Sequence, residues 1–117
     1  MKTILRLLAL LSLLGCSSSP FKKEAIVLNN NATQLFLTNP DSALILFDRA
    51  IALDSSYHLP IQNKANLLID QRRYEEALLA VEQLLTKEEY PEALQIRGML
   101  IDKLGTSAAD AQHSYRK

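Results

Sequence analysis

Apolar residues between positions 24 and 117 recur every three or four residues, which predicts helices throughout this part of the chain. No stretch alternates apolar and polar residues as a half-buried strand would. Asn39-Pro40 is typical of an N-cap followed by proline at the first helical position. One apolar stripe follows it, formed by Ala43, Leu44, Phe47, Ala50, Ile51 and Leu53. The Asp54-Ser55-Ser56 cluster should end this helix.

A second helix pair is predicted on the same plan. Pro60 opens its first helix, and Gln71-Arg72-Arg73 forms the corner. The return helix begins at Tyr74, and its apolar positions are Ala77, Leu78, Val81, Leu84 and Leu85.

A third pair is predicted to begin near Pro91 and to reach the C-terminus at Lys117. Gly105 suits a helix C-terminus, because glycine adopts the left-handed conformation that ends many helices. Ser107 and Asp110 resemble a capping box, so the last helix should begin there.

An internal repeat links these pairs. Ala43-Leu44 and Phe47 align with Ala77-Leu78 and Val81, which gives a period of 34. A second match, from Leu68-Ile69-Asp70 to Leu100-Ile101-Asp102, has a spacing of 32. A period of 34 with a helix-turn-helix unit is typical of the tetratricopeptide repeat (TPR).

Residues 24 to 117 resemble the TPR family, most closely in the run Arg73-Tyr74-Glu75-Glu76-Ala77-Leu78. The resemblance implies an all-α fold, a short α-solenoid of about three helical hairpins, with units near 24–57, 58–90 and 91–117. Small and aromatic residues would then mark close helix crossings: Ala43, Phe47, Ala50, Tyr74, Ala77 and Ala109. Ser55 stands where the family has proline, and Asn29-Asn30-Asn31 should interrupt the first helix. The alternative is a plain antiparallel helix bundle.

The N-terminus has the proportions of a signal peptide. Lys2 and Arg6 precede a short apolar run that ends in Leu13-Leu14-Gly15-Cys16, which resembles the lipobox of bacterial lipoproteins. The resemblance implies cleavage after residue 15, a diacylglyceryl group on Cys16, and a tether over residues 16–23. Since Ser17 is not an aspartate, the resemblance also implies, for a bacterium with two membranes, the periplasmic leaflet of the outer membrane. The alternative is an amphipathic first helix in a cytosolic protein, with Cys16 an ordinary buried thiol.

The charge and the cysteine content of the chain argue against several classes of protein. Without residues 1–15 the chain has 11 basic and 13 acidic side chains, which argues against binding to nucleic acid or to a membrane through basic residues. Because Cys16 is the only cysteine, the domain has neither a disulfide framework nor a cysteine-based metal site.

Catalytic motifs are absent from the sequence. His58 and His113 are far apart, no Gly-x-Ser-x-Gly elbow occurs, and three glycines cannot form a phosphate-binding loop. We therefore expect no catalytic residue, no metal and no cofactor, and hence no enzyme.

A solenoid presents the first helix of each hairpin on its concave side. Five residues of the second unit share one such helix face, namely Leu59, Gln62, Asn66, Ile69 and Asp70. The third unit should extend this face with Gln95, Gly98, Ile101 and Asp102. The resemblance implies that they bind a protein or peptide partner, with Asn66 at the asparagine position of the carboxylate clamp. That clamp's basic residues have no counterpart here, and the alternative is an ordinary solvated or repeat-packing face.

These expectations combine into a membrane-anchored, non-catalytic interaction module or scaffold of the bacterial cell envelope. The alternative is a pilotin-like accessory lipoprotein that assists assembly or secretion of an envelope complex. Self-association is a further expectation, because the last helix would leave an uncapped apolar flank with Ala108, Ala111 and Tyr115 as candidates.

Overall fold

A computed structural model describes the backbone of residues 19–115 and the side chains of residues 19–106. Within this part of the chain every regular element is an α-helix, as predicted. The five helices are α1 (Lys23–Leu35), α2 (Pro40–Leu53), α3 (Leu59–Asp70), α4 (Tyr74–Leu85) and α5 (Pro91–Tyr115). The predicted signal peptide and Cys16 lie outside the described residues, as does Lys117.

The ends of α2 confirm the sequence signals. The Asn39 side-chain oxygen accepts a hydrogen bond from the Ser42 N–H at 3.3 Å, and Pro40 is the first helical residue. At the other end, the Asp54 carboxylate accepts hydrogen bonds from Ser56 and, at 2.9 Å, from the backbone N–H of Lys22. The Ser56 hydroxyl first, and then the Lys22 N–H, lower the pKa of Asp54 because they stabilise the charged form.

Each hairpin closes over small residues. Ala32 of α1 lies in one buried cluster with Ala43 and Phe47 of α2. In the next hairpin, Ala65 of α3 lies in a buried cluster with Ala77 of α4. Alanine allows two helix backbones to approach closely, because its side chain is a single methyl group. The close crossings predicted at Ala43 and Ala77 are therefore confirmed.

The α3–α4 corner turns at Arg72, whose φ of 59° lies in the left-handed region. The Arg73 N–H donates to the Leu68 carbonyl at 2.8 Å and closes the end of α3. This is the 6→1 bond of a helix C-cap, for which glycine is the usual residue at the left-handed position. The predicted corner is confirmed, although its left-handed residue is an arginine.

The predicted break in the first helix at Asn29-Asn30-Asn31 is wrong, because α1 continues through all three residues. Asn29 is only 4% exposed, and its Oδ1 accepts a hydrogen bond from the Asn63 amide of α3 at 3.0 Å. Its own amide donates to the Tyr57 hydroxyl at 3.4 Å. Asn29 therefore links α1 to α3 through a buried polar contact, which offsets its low helix propensity.

Asn29→Ala should lower the free energy of unfolding by about 1–3 kcal/mol, because it leaves polar groups of Asn63 and Tyr57 without their buried partner. Asn31→Ala is the matched control: Asn31 is exposed on the same helix, and its replacement should change stability by less than about 0.5 kcal/mol. Urea denaturation of both variants measures the difference. Equal effects would show that the buried contact contributes nothing.

The third hairpin differs from the prediction. Helix α5 runs without a break from Pro91 to Tyr115, so neither the stop at Gly105 nor the new helix start at Ser107 is found. Gly105 does not have a positive φ. A Cβ atom added to this glycine would have no neighbouring atom within 4 Å. With no packing that requires a turn, one glycine in a helix costs only about 1 kcal/mol relative to alanine. The described part of the chain is thus two complete hairpins followed by one long helix.

Residues of α3 and α5 that make equivalent contacts are 33 positions apart in the chain, and not 32 as the sequence match indicated. We call this correspondence the 33-residue register. Pro60 and Leu67 of α3 are buried, as are Ala93 and Leu100 of α5. Two ion pairs also repeat: Lys64 Nζ lies 2.6 Å from Asp48 Oδ1 of α2, and Arg97 Nε lies 2.8 Å from Glu82 Oε1 of α4. Each pair joins the first helix of a unit to the second helix of the unit before it.

Candidate protein-binding surface

One face of α3 remains open to solvent, and it contains the five residues predicted to share it. We call Leu59, Gln62, Asn66, Ile69 and Asp70 the α3 surface. Leu59, Asn66 and Asp70 are exposed, whereas Gln62 and Ile69 are half-buried. The structure therefore brings this set together, because the other side of α3 is fixed by burial in the core.

The buried side of α3 determines this orientation. Ile61, Ala65 and Leu68 lie in the core cluster that α3 shares with α4. Lys64 points toward α2, where it is paired with Asp48. The face that remains combines two aliphatic side chains, Leu59 and Ile69, with two amides and one carboxylate.

Helix α1 borders the α3 surface. The Asn29–Asn63 hydrogen bond joins the two helices next to Gln62 and about one turn before Asn66. Because Asn29 is buried, this contact fixes the position of the neighbouring helix relative to the surface.

The predicted extension onto α5 is only partly equivalent to the α3 surface. Gln95 and Asp102 are both exposed, and in the 33-residue register Gln95 corresponds to Gln62, whereas Asp102 corresponds to Ile69. Gly98 and Ile101 correspond instead to Ala65 and Leu68, which pack against α4. We therefore assign Gly98 and Ile101 to a different face of α5.

Two α5 residues that the sequence analysis missed take their place. Met99 corresponds to Asn66 and Lys103 to Asp70 in the 33-residue register, and both are exposed. The small residues Ala32, Ala65 and Gly98, spaced by 33, would have given this register from sequence. The partner-binding role of all these residues remains a prediction.

Stacked aromatic rings fix the corners between helices. His58 stacks on Tyr90 with ring centroids 4.7 Å apart, and Phe21 stacks on Tyr57 at 4.8 Å. Tyr57 and Tyr90 are themselves equivalent positions in the 33-residue register. His58 is thus part of a structural contact, and the described residues hold no group of three or more histidine, cysteine or acidic side chains placed to bind a metal.

A separate groove lies at the N-terminal half of α1. It has a volume of about 540 Å³ and is lined by Lys23, Glu24, Val27, Leu28 and Leu53. This groove was not predicted from sequence, because apolar residues such as Val27 and Leu28 can belong either to a core stripe or to an exposed groove. In the structure Val27 is exposed. Across residues 19–115, none of the helices has the length and apolar character needed to cross a bilayer.

Comparison with known proteins supports the fold. No protein-family model matches the chain, and no curated protein matches it. The solved structure of the second TPR domain of Spaghetti (RPAP3), bound to the HSP90 peptide SRMEEVD, is similar to this chain with a TM-score of 0.66. The two are 25% identical, and the match covers 77% of this chain and 85% of that one. The chain therefore has a TPR-like fold, and the predicted short α-solenoid is confirmed.

Proposed function

We propose that this chain is a non-catalytic protein-interaction module, anchored by a lipid on Cys16 in the bacterial cell envelope, and that the α3 surface binds a protein or peptide partner. The open α3 surface is the observation that supports it most directly. The similar TPR domain of Spaghetti was solved with a peptide bound, which supports the same kind of partner here.

The chemistry of the α3 surface suits an extended peptide. The Gln62 and Asn66 amides each provide a donor and an acceptor for peptide backbone groups. Leu59, 40% exposed, and the half-buried Ile69 offer apolar contacts beside them. A peptide bound here would gain hydrogen bonds from the amides and bury apolar area at the same time.

The charges favour a partner unlike the acidic peptide SRMEEVD. Lys64, the only basic residue of α3, is paired with Asp48 on the side of the helix that faces α2. Asp70 is the charged member of the α3 surface, and its carboxylate repels an acidic ligand. We therefore propose a neutral or basic segment with apolar side chains as the bound region.

The position of the N-terminus supports a domain held close to a membrane. Phe21 stacks on Tyr57, and the Lys22 N–H bonds to Asp54, so the chain is fixed to the domain from residue 21 onward. Five residue steps separate Cys16 from Phe21. An extended chain of that length spans at most about 18 Å. A lipid on Cys16 would therefore keep the domain next to the bilayer, at the periplasmic leaflet of the outer membrane in this proposal.

Site-specific photocrosslinking in cells tests the interaction directly. A photoreactive residue at position 66 of the full chain should form an adduct with a partner protein, because Asn66 lies at the centre of the α3 surface. The same residue at position 79 is the control, since Leu79 is exposed on α4 and not on α3. The same adduct from both positions, or none from position 66, would contradict the proposal.

Asn66→Ala with Asp70→Ala should weaken binding of that partner at least tenfold, because the pair removes polar contacts from the α3 surface. The melting temperature should stay the same, since both side chains are exposed. Glu75→Ala with Gln83→Ala, exposed on α4, is the matched control and should leave binding unchanged. Co-purification with the crosslinked partner measures the binding of both pairs of variants.

If the partner loses its outer-membrane location in cells that lack this chain, the pilotin-like role is favoured over a scaffold.

A further inference from the structure

Helix α5 has one apolar face that no part of the described chain covers. We call Leu94, Gly98 and Ile101 the α5 apolar face; they recur at helical spacing and so lie on one side of the helix. Leu94 is 44% exposed and Ile101 is 50% exposed. Their equivalents in the preceding unit, Ile61, Ala65 and Leu68, are fully buried.

The difference lies in the second helix of the hairpin. In the preceding unit, α4 turns back at Arg72 and buries the α3 residues with Ala77, Val81 and Leu84. In α5 the equivalent residue, Gly105, is helical, and the chain continues straight to Tyr115. Residues 106–115, which we call the C-terminal segment, extend about 15 Å along the axis at 1.5 Å per residue. They cannot reach the α5 apolar face of their own chain in this conformation.

We propose that a second copy of this chain covers that face. Two α5 helices would lie antiparallel, and the C-terminal segment of each would pack on the α5 apolar face of the other. Each segment would take the place that α4 occupies on α3. A twofold axis near residue 103 generates both contacts at once, so the interface closes as a dimer.

Three features of the chain favour a second copy as the occupant. The interface continues the established α3–α4 contact, in which two antiparallel helices bury the equivalent residues. The C-terminal segment is only slightly shorter than α4, so it can cover most of the length that α4 covers on α3. In its sequence Ala108, Ala111 and Tyr115 recur at helical spacing, as the residues of the α5 apolar face do.

Photocrosslinking of the full chain in cells tests this dimer. Two copies with different tags are expressed together, and one contains a photoreactive residue at position 101. We expect a product with the mass of two chains that contains both tags and joins position 101 to residues 106–117 of the other copy. The same residue at position 79, exposed on α4, should give no such product.

Leu94→Asp should reduce the double-tag product at least tenfold, because it places a charge in the apolar contact. Leu79→Asp is the matched control and should leave the yield unchanged, since Leu79 is 71% exposed and belongs to α4. A crosslink from position 101 to residues 106–117 of the same chain would overturn the proposal, because it would show the segment folded back. An adduct with a different protein, or equal double-tag yields from positions 101 and 79, would overturn it as well. None of these outcomes depends on the α3 surface or on Cys16.

Discussion

Ala77→Glu is expected to unfold the helical domain. Ala77 is 0% exposed and lies in one buried cluster with Ile61, Ala65 and Leu68. A glutamate there would need space that the close crossing of α3 and α4 does not provide, and its carboxylate would be buried without a partner. Burial of such a group costs several kcal/mol, a large part of the roughly 5–15 kcal/mol that stabilises a typical domain. Circular dichroism should show loss of most of the helical signal at room temperature.

Leu79→Glu is the control, two positions further along the same helix. Leu79 is 71% exposed, so the glutamate remains in water and the melting temperature should change little. The pair thus places the same side chain on opposite faces of α4. If Ala77→Glu melted like the unmodified chain, the assignment of Ala77 to the helix crossing would be incorrect.

Cys16→Ser is expected to abolish lipid attachment completely. Cys16 is the only thiol in the chain, and a serine hydroxyl cannot replace the thiolate as the nucleophile that takes up the lipid. Metabolic labelling with radioactive palmitate, followed by electrophoresis, should show no label and an uncleaved precursor. Ser17→Ala alters the next residue and retains the thiol, so it should remain labelled.

Folding should be unaffected by Cys16→Ser. The described contacts of the N-terminus begin at Ser19, and the first buried residue of α1 is Ala25. Circular dichroism of the variant should therefore show the same helical content and melting temperature. A palmitate-labelled Cys16→Ser protein would exclude the lipoprotein assignment, whereas an unfolded one would place Cys16 in the core as an ordinary buried thiol.

Local sequence signals were sufficient for α2, α3 and α4. Asn39 and Pro40 form a cap whose hydrogen bond is made to a nearby residue of the chain, so it can be recognised without tertiary information. The corner at Gln71-Arg72-Arg73 was predicted for the same reason. The α3 surface followed from helical spacing, because residues on one face of a helix share their exposure.

Tertiary contacts determine two features that the sequence alone did not predict, namely the continuity of α1 at Asn29 and that of α5 at Gly105. Asn29 is a poor helix former, and only its contacts with Asn63 and Tyr57 show why it is tolerated in α1. Gly105 is compatible with a turn or with a helix interior, and the choice depends on whether another helix packs beside it. The partner was also beyond prediction, because an open face fixes the chemistry of a ligand but not its identity. Lipidation of Cys16 stays a prediction.

The stacking of Phe21 on Tyr57 determines which end of α3 lies closer to Cys16. Tyr57 lies just before Leu59, the first residue of α3, so the chain from Cys16 arrives at the N-terminal end of that helix. With a lipid on Cys16, Leu59 would be near the bilayer and Asp70 would lie at the far end, about 17 Å further along the helix axis. The α3 surface would then extend away from the membrane, from Leu59 at the near end to Ile69 and Asp70 at the far end. A partner segment bound along α3 would then lie at a fixed distance from the bilayer and in a fixed chain direction relative to it.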